Sequence, residues 1–416
     1  MIYIYRFFLN IILIISPIII LIRLINKKED PKRFLEKFTI FSKIRKKGKL
    51  IWFHTVSVGE LKSVLPLLKS LEKDKNISQI LITSSTLSSS RMFSNLKFKK
   101  TIHQFFPIDN NFITKRFLKY WSPDLAIFVD SEIWPNMLKN LKKKNIKRIL
   151  INARISERSF KKWKILGSFS KDLFQTFNFC YPQNQESKKY LKKIGALNIK
   201  FLGNIKFIQN EINQNSLEKN FKKFIKSKNV WGAISTHPGE EKICAEIHSS
   251  LLKKYKNLLL VLIPRHTNRI NDIKKELFNF NQYIHVRSEK KPINKDTQIY
   301  LVDTYGETDL FFEISKIVFM GKSLSKINLG GQNPLEAARK NCIILHGPKV
   351  SNFNEIYNYL DKQKISINVK NKNQFLNKMI FLLKNKSNSK KIQNKLNKIG
   401  IQILKLNLKE IRSFIK

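Results

Sequence analysis

The sequence predicts an α/β protein of two successive parallel-sheet domains behind an apolar N-terminal helix, and three observations carry that prediction. The first is the stretch KLIWFHTVSVGE, from Lys49 to Glu60. An apolar run there, Leu50 to Phe53, reads as a buried parallel strand; small and polar residues lead to Gly59, and a helical pattern follows at Leu61, Val64, Leu65 and Leu68. The second is the recurrence of this strand–helix alternation in two runs divided by a polar stretch. The third is length, since 416 residues exceed one ordinary core.

Taken in order, residues 1–26 form a predicted membrane anchor. Ile2 to Ile25 is almost wholly apolar, broken only by Arg6, Asn10, Pro17 and Arg23. About 20 such residues cross a hydrocarbon core, and no small-residue cleavage site follows, as a signal peptide would require. Basic residues on the distal side (Arg23, Lys27, Lys28, Lys32, Arg33) place the rest of the chain in the cytoplasm. Pro17 and Arg6 leave two geometries open, a spanning helix and a shallower interfacial one. Residues 27–48 read as a basic amphipathic link carrying Phe34, Leu35, Phe38 and Phe41, either at the headgroup surface or as a solvated linker helix.

Residues 49–208 read as the first Rossmann-like domain. Strands are predicted at 50–53, 79–83, 101–106, 125–129, 148–151, 179–181 and 200–202, with helices notably at 61–71, 113–121, 134–144 and 159–174. Residues 209–229, rich in Asn and Lys, form the predicted connection, with a short helix near 217–225. Residues 230–416 read as the second Rossmann-like domain. Its strands fall at 230–235, 258–263, 283–286, 299–302, 317–320, 342–345 and 365–367, and its basic helical tail is expected to cross back onto the first domain.

Composition narrows the function. With 79 Lys and Arg against 30 Asp and Glu the formal charge is +49, yet no basic arm or zinc-finger spacing stands apart, and most aromatics are Phe within apolar runs. Nucleic acid is therefore disfavoured against an anionic membrane surface or a phosphorylated substrate. Cys180, Cys244 and Cys342 form no CxxC pair, which fits a reducing compartment, and no histidine spacing indicates a metal site. Neither domain has GxGxxG, which argues against a nicotinamide dehydrogenase.

Glu60, directly after the glycine turn, sits where ligands gather in open α/β sheets. Two readings stand: a group placed for chemistry, and an acid that stabilises a helix N-terminus. Asp130 and Glu132 follow another strand and on a strand would share a face, while either could cap the helix beginning near Pro135. In the second domain Pro264 and Arg265 follow a strand end, where Arg offers a fork for phosphate or a plane for a base. Tyr305, Gly306 and Glu307 occupy the next such turn. Gly330 and Gly331 precede Asn333, Pro334, Leu335 and Glu336, a glycine turn opening a helix, which reads as an anion site or as ordinary capping. Ser235, Thr236 and His237 end a further strand and are candidates to line a donor site.

The motifs HTVSVGE (54–60), DSEIWPN (130–136), NARISERS (152–159), GNIKF (203–207), STHPGEE (235–241), IPRH (263–266), DTYGE (303–307), GGQNPLEAA (330–338) and HGPKVSNFNEI (346–356) occur in that order. With them the chain resembles, over essentially its whole length, the 3-deoxy-D-manno-oct-2-ulosonic acid (Kdo) transferases of Gram-negative lipid A assembly. The resemblance implies a GT-B fold: two Rossmann-like domains facing across a cleft, with an N-terminal membrane anchor helix. It implies an inverting glycosyltransferase of the inner (cytoplasmic) membrane, its catalytic domains on the cytoplasmic side. CMP-Kdo is the implied donor and lipid IVA, a phosphorylated glycolipid, the implied acceptor, with no metal and no cofactor.

By the same resemblance Glu60 is the general base, Asp130 (with Glu132 beside it) supports the transition state, and Lys206 of GNIKF stabilises the reaction centre. Pro264, Arg265, Tyr305, Gly306, Glu307, Asn333, Leu335 and Glu336 then hold the donor, Glu336 taking the ribose hydroxyls. Departures are visible: Asp130 stands where Glu is usual, Ile208 where Asp is usual, Lys322 for Gly and Gln332 for His. Apart from the resemblance, Lys206 reads as one solvated lysine among many. Two rivals stay open, another GT-B transferase with a different nucleotide sugar and a non-catalytic membrane-tethered descendant.

Overall fold

The N-terminal apolar run folds as one helix, α1 (Ile2–Ile25), which continues through Pro17. Proline has no N–H for the carbonyl four residues back, and the Ser16 hydroxyl donates to that Leu13 carbonyl oxygen instead, at 2.7 Å. A computed structural model describes residues 1–208, 217–278, 280, 283–289, 291–325, 330–385 and 390–415. They form two units, one of residues 1–208 with the tail from Ile399, the other of the described residues from Leu217 to Lys398. The first eight residues of the predicted 209–229 connection lie outside the described residues.

The first unit continues through β1 (Leu50–His54), α2 (Val58–Leu71), β2 (Gln79–Ser84), α3 (Leu87–Ser94), β3 (Thr101–Phe105), α4 (Asn111–Trp121) and β4 (Leu125–Val129). After these come α5 (Pro135–Lys143), β5 (Lys147–Ala153), α6 (Glu157–Ile165), α7 (Gly167–Phe174), β6 (Phe179–Pro182) and α8 (Gln185–Ile194). Its strands are parallel in the order β3-β2-β1-β4-β5-β6. Every β1 residue is buried because both faces are covered. Ile51 and Phe53 pack with Leu61, Val64 and Leu68 of α2; Leu50 and Trp52 pack on the other face with Phe117, Trp121 and Leu138.

The second unit runs α9 (Lys219–Ile225), β7 (Asn229–Thr236), α10 (Glu240–Leu252), β8 (Leu258–Pro264), α11 (Ile270–Phe278), β9 (Ile284–Val286), β10 (Ile299–Leu301) and α12 (Thr308–Ile314). It ends with β11 (Ile317–Met320), α13 (Leu335–Arg339), β12 (Ile343–His346), α14 (Asn354–Lys362), β13 (Ser366–Asn368) and α15 (Lys372–Lys384); α16 (Lys390–Ser413) follows, its residues from Ile399 belonging to the first unit. This sheet too is parallel, ordered β13-β12-β11-β7-β8-β10-β9. The α16 residues Ile403, Leu408 and Ile411 join the α2-side core of the first unit.

Several expectations are corrected. Residues 200–202 form no strand; the segment makes a single bridge, Cys180 with Ile199, and then leaves the sheet edge. The helix expected over 159–174 is broken at Gly167, which adopts φ +50°. Within the link 27–48 there is a short 3-10 turn, Phe34–Phe38, packed on the first unit, and no free solvated helix. Glu36 is buried and accepts from the Phe105 backbone N–H, while Arg33 donates to the His103 carbonyl and Phe41 stacks on Tyr120 at 3.9 Å. Ile208 is buried in the α2-side core.

Candidate active site

In the first unit the order of strands reverses between β1 and β4, and the loops leaving these two carboxyl ends carry the acids. Ser57 caps α2, its hydroxyl accepting from the Glu60 N–H at 3.3 Å. The Glu60 carboxylate returns the contact, accepting from the Val56 N–H at 2.7 Å and the Ser57 hydroxyl at 2.9 Å. This is a variant of the capping box, the carboxylate reaching the N–H one residue before the cap. Gly59 already lies inside the helix, so the turn is made by residues 55–57 and not by the glycine. Both readings of Glu60 therefore meet in one side chain. Burial pushes its carboxyl up to about 7, the charges of Asp130 and Glu132 add to the rise, and the Val56 and Ser57 hydrogen bonds oppose it.

Asp130 and Glu132 lie beyond the end of β4, so the shared strand face expected for them does not form. Asp130 adopts φ +65°, a conformation costly for a residue with a side chain and frequent at functional sites. The backbone holds it there: its N–H donates to the Ile151 carbonyl at 3.1 Å and its carbonyl accepts from the Arg154 N–H at 3.0 Å. Glu132 is oriented by the Trp134 indole N–H at 2.9 Å and lies 3.5 Å from His54 Nε2. His54 is fully buried, stacked on Phe106 at 3.7 Å, and burial holds its imidazole below the ordinary range.

Asn152, at φ +51°, joins these acids to the segment carrying Lys206. Its amide nitrogen reaches Asp130 Oδ1 at 3.4 Å, and its amide oxygen accepts from the Ile205 N–H at 3.1 Å. Lys206 follows in a short 3-10 turn, Ile205–Phe207, capped by Asn204. The first unit thus gathers Glu60, Asp130 and Glu132 and ties Lys206 to them by backbone.

In the second unit the reversal falls between β7 and β11. The buried Glu240 fills it: its Oε2 accepts from the N–H of His237 and Lys322, and its Oε1 from those of Ser323, Leu324 and Ser325, all at 2.7–3.2 Å. One internal carboxylate therefore shapes the loop after β11. Lys322 adopts φ +64°, a conformation that glycine holds without strain. Arg265, exposed beyond Pro264, donates its N–H to the Thr236 carbonyl. Burial and the charges of Lys322, His266, Arg269 and Arg265 drive His237 down to about 4, which gathers these basic groups about one imidazole. Its Nε2 is buried without a hydrogen-bond partner among the described residues.

The remaining predicted donor residues divide. Gly331 donates its N–H to the Lys322 carbonyl at 2.9 Å, bringing the turn before Asn333 to the cationic loop. The Asn333 side chain accepts from the Leu335 N–H, and the Leu335 side chain is wholly in the core. Glu336 lies in the first turn of α13, where its charge acts on Arg339. Glu307, beside the exposed Tyr305 and Gly306 (φ +84°), is committed to a bidentate pair with Arg287 at 2.6 and 2.7 Å, toward the β10 edge. The sequence places His237 among residues lining a donor site but marks out no role for His54, Asn152 or Glu240, although each lies within or beside a quoted motif. A cavity of about 500 Å³ lined by Asn229, Ser315 and Ile317 opens at the opposite, amino ends of these strands. Among the described residues no group of three or more His, Cys, Asp or Glu is arranged to hold a metal.

Residues 32–209 match the family described as 3-Deoxy-D-manno-octulosonic-acid transferase (kdotransferase). The chain is 36% identical to the 3-deoxy-D-manno-octulosonic acid transferase of Rickettsia bellii over 94% of its own length and 92% of that protein's. It is 32% identical to the enzyme of the same name from Haemophilus influenzae, covering 85% and 83%. A solved glycosyltransferase of Rickettsia africae has a similar fold, with TM-score 0.58, 15% identity, and coverage of 89% of this chain and all of that one.

Proposed function

The chain belongs to the 3-deoxy-D-manno-octulosonic acid transferase family, and from that premise we propose that it moves Kdo from CMP-Kdo to lipid IVA with inversion, Glu60 acting as general base. It is a glycosyltransferase of lipid A and lipopolysaccharide synthesis. The observation that supports this reading best is the placing of Glu60, held by the Val56 N–H and the Ser57 hydroxyl near Asp130 and Glu132 at the carboxyl ends of β1 and β4, where burial pushes its carboxyl up to about 7. A base with that affinity takes a proton readily at neutral pH and still returns it.

In the proposed step the acceptor hydroxyl gives its proton to Glu60 while its oxygen bonds the anomeric carbon of Kdo. The bond from that carbon to the CMP phosphate oxygen breaks, and CMP leaves with the electron pair. Single displacement inverts the centre. Asp130 and Glu132 place negative charge where the sugar becomes oxocarbenium-like, and Lys206 balances anionic groups. Arg265, His266 and Lys322 attract the donor's phosphate and carboxylate in the second unit, while Arg269 is paired with the buried Glu241 at 2.9 Å. Tyr305, Gly306, Asn333 and Glu336 complete the donor contacts in this reading, while Pro264 and Leu335 shape the loops that carry them. The apolar α1 and the excess of Lys and Arg hold the protein on the inner membrane, the catalytic units on the cytoplasmic side.

Mass analysis of the product formed from CMP-Kdo and lipid IVA tests the reading. Acceptor mass rising by whole Kdo units is expected. Turnover of UDP-sugars without turnover of CMP-Kdo would transfer the chain's activity to another donor.

A further inference from the structure

A helix that crosses a bilayer leaves the soluble body at one end, whereas α1 is tied to the body at both. Near its start the Tyr5 hydroxyl donates to Asp109 at 2.8 Å, and Arg6 donates to the side-chain oxygens of Asn136 at 2.9 Å and Asn111 at 3.2 Å. One turn on, Asn10 accepts from the Asn110 amide at 2.8 Å. At the far end Arg23 and Lys37 meet on the buried Glu29, each at 2.6 Å, and Lys37 belongs to the segment packed along β3. Tyr5 and Arg23 are about 27 Å apart along the axis, at 1.5 Å per residue.

The shielding between these ends follows one stripe. Tyr5, Leu9, Leu13, Ser16, Ile20 and Leu24 are buried or half-buried, at intervals of three and four residues. The opposite surface is exposed and apolar along its whole length: Phe7 is 62% exposed, Ile14 78%, Ile18 62% and Ile25 72%. Next to the docked start, α4 turns Phe112, Lys115, Arg116 and Lys119 outward. At the other end Lys27 and Lys28 are exposed. An apolar stripe flanked by lysine and arginine matches the boundary between acyl chains and anionic headgroups.

We propose that α1 lies in the plane of the membrane, docked lengthwise on the first unit with its Phe/Ile face in one leaflet of an anionic bilayer. A spanning arrangement would strip Arg6, Tyr5 and Asn10 from Asn136, Asn111, Asp109 and Asn110 and carry Asn10 into hydrocarbon. The docked arrangement gives each of these polar groups a partner on the first unit. Asn136 belongs to the same DSEIWPN stretch as Asp130 and Glu132, so the lipid-facing helix is bonded directly to a segment of the acid site. This proposal rests on the membrane reading given above.

The test uses the full chain on phosphatidylethanolamine–phosphatidylglycerol vesicles. Ile4→Cys, Ile11→Cys, Ile18→Cys and Ile25→Cys, seven residues apart on the exposed side, are spin-labelled singly; the native cysteines are buried. Depth is read from relaxation by oxygen against a water-soluble nickel complex. In-plane docking gives four depths within a few ångströms of one another. A spanning helix shifts each position by about 10 Å from the next, and that profile overturns the proposal. A second readout is the Asn10→Cys, Asn110→Cys pair, expected to oxidise to a disulfide in the vesicle-bound protein; absence of the crosslink in a protein that still floats also overturns docking. If the chain does not float with vesicles at all, the underlying membrane reading fails instead.

Discussion

At the scale of single residues, the acids at β1 and β4 make the sharpest demands. A base must be deprotonated to accept the hydroxyl's proton, so kcat/KM is expected to rise with pH and level off above about 7, following Glu60. Glu60→Gln should lower transfer by about 10²–10⁴-fold while the circular dichroism spectrum persists. Full activity in that variant would remove Glu60 as the base. Asp130→Asn removes a negative charge that raises Glu60, so the acidic limb of the profile should move to lower pH. An unmoved limb would leave Asp130 electrostatically remote. Which residues to examine was legible in HTVSVGE and DSEIWPN. That Asp130 takes φ +65° was not, because only its two backbone hydrogen bonds to the β5 region impose it.

At the scale of elements, Glu240 is the clearest case of a side chain that organises a loop. Glu240→Ala strands five backbone N–H groups about the β7 and β11 ends. With each stranded buried donor costing on the order of 1 kcal/mol or more, a loss of about 3 kcal/mol or more is expected in urea unfolding. The KM for CMP-Kdo should rise with it. Stability within 1 kcal/mol of the parent, measured as a shift in urea midpoint, would show that the loop holds itself. Ser57→Ala should cost about 1 kcal/mol through the lost cap and also loosen the Glu60 carboxylate. Strands and helices were largely legible from period, since apolar runs such as Leu258–Ile263 are buried on both faces. The two failures, the absent strand at 200–202 and the break at Gly167, fall at a sheet edge and at a residue whose φ the pattern of hydrophobicity does not report.

At the scale of the whole molecule, the proposed membrane attachment has two separable sources, the +49 charge and the apolar α1. Headgroup attraction is screened by salt while apolar insertion is not. Removing residues 1–25 should therefore leave binding to anionic vesicles that is lost between about 0.1 and 0.5 M salt, whereas the full chain stays bound. Salt-resistant flotation of the truncated chain would assign the anchor to another surface. The sequence by itself determined the alternation of strands and helices, the apolar N-terminal helix and the motifs that mark the family, because hydrophobic period and turn residues act over a few positions. Only the tertiary structure decided which carboxylates share a field, that one glutamate fills the β7–β11 loop, and that α1 is bonded at both ends to the first unit. Those are contacts between residues up to 130 positions apart, set by strand order and burial, to which local pattern carries no key.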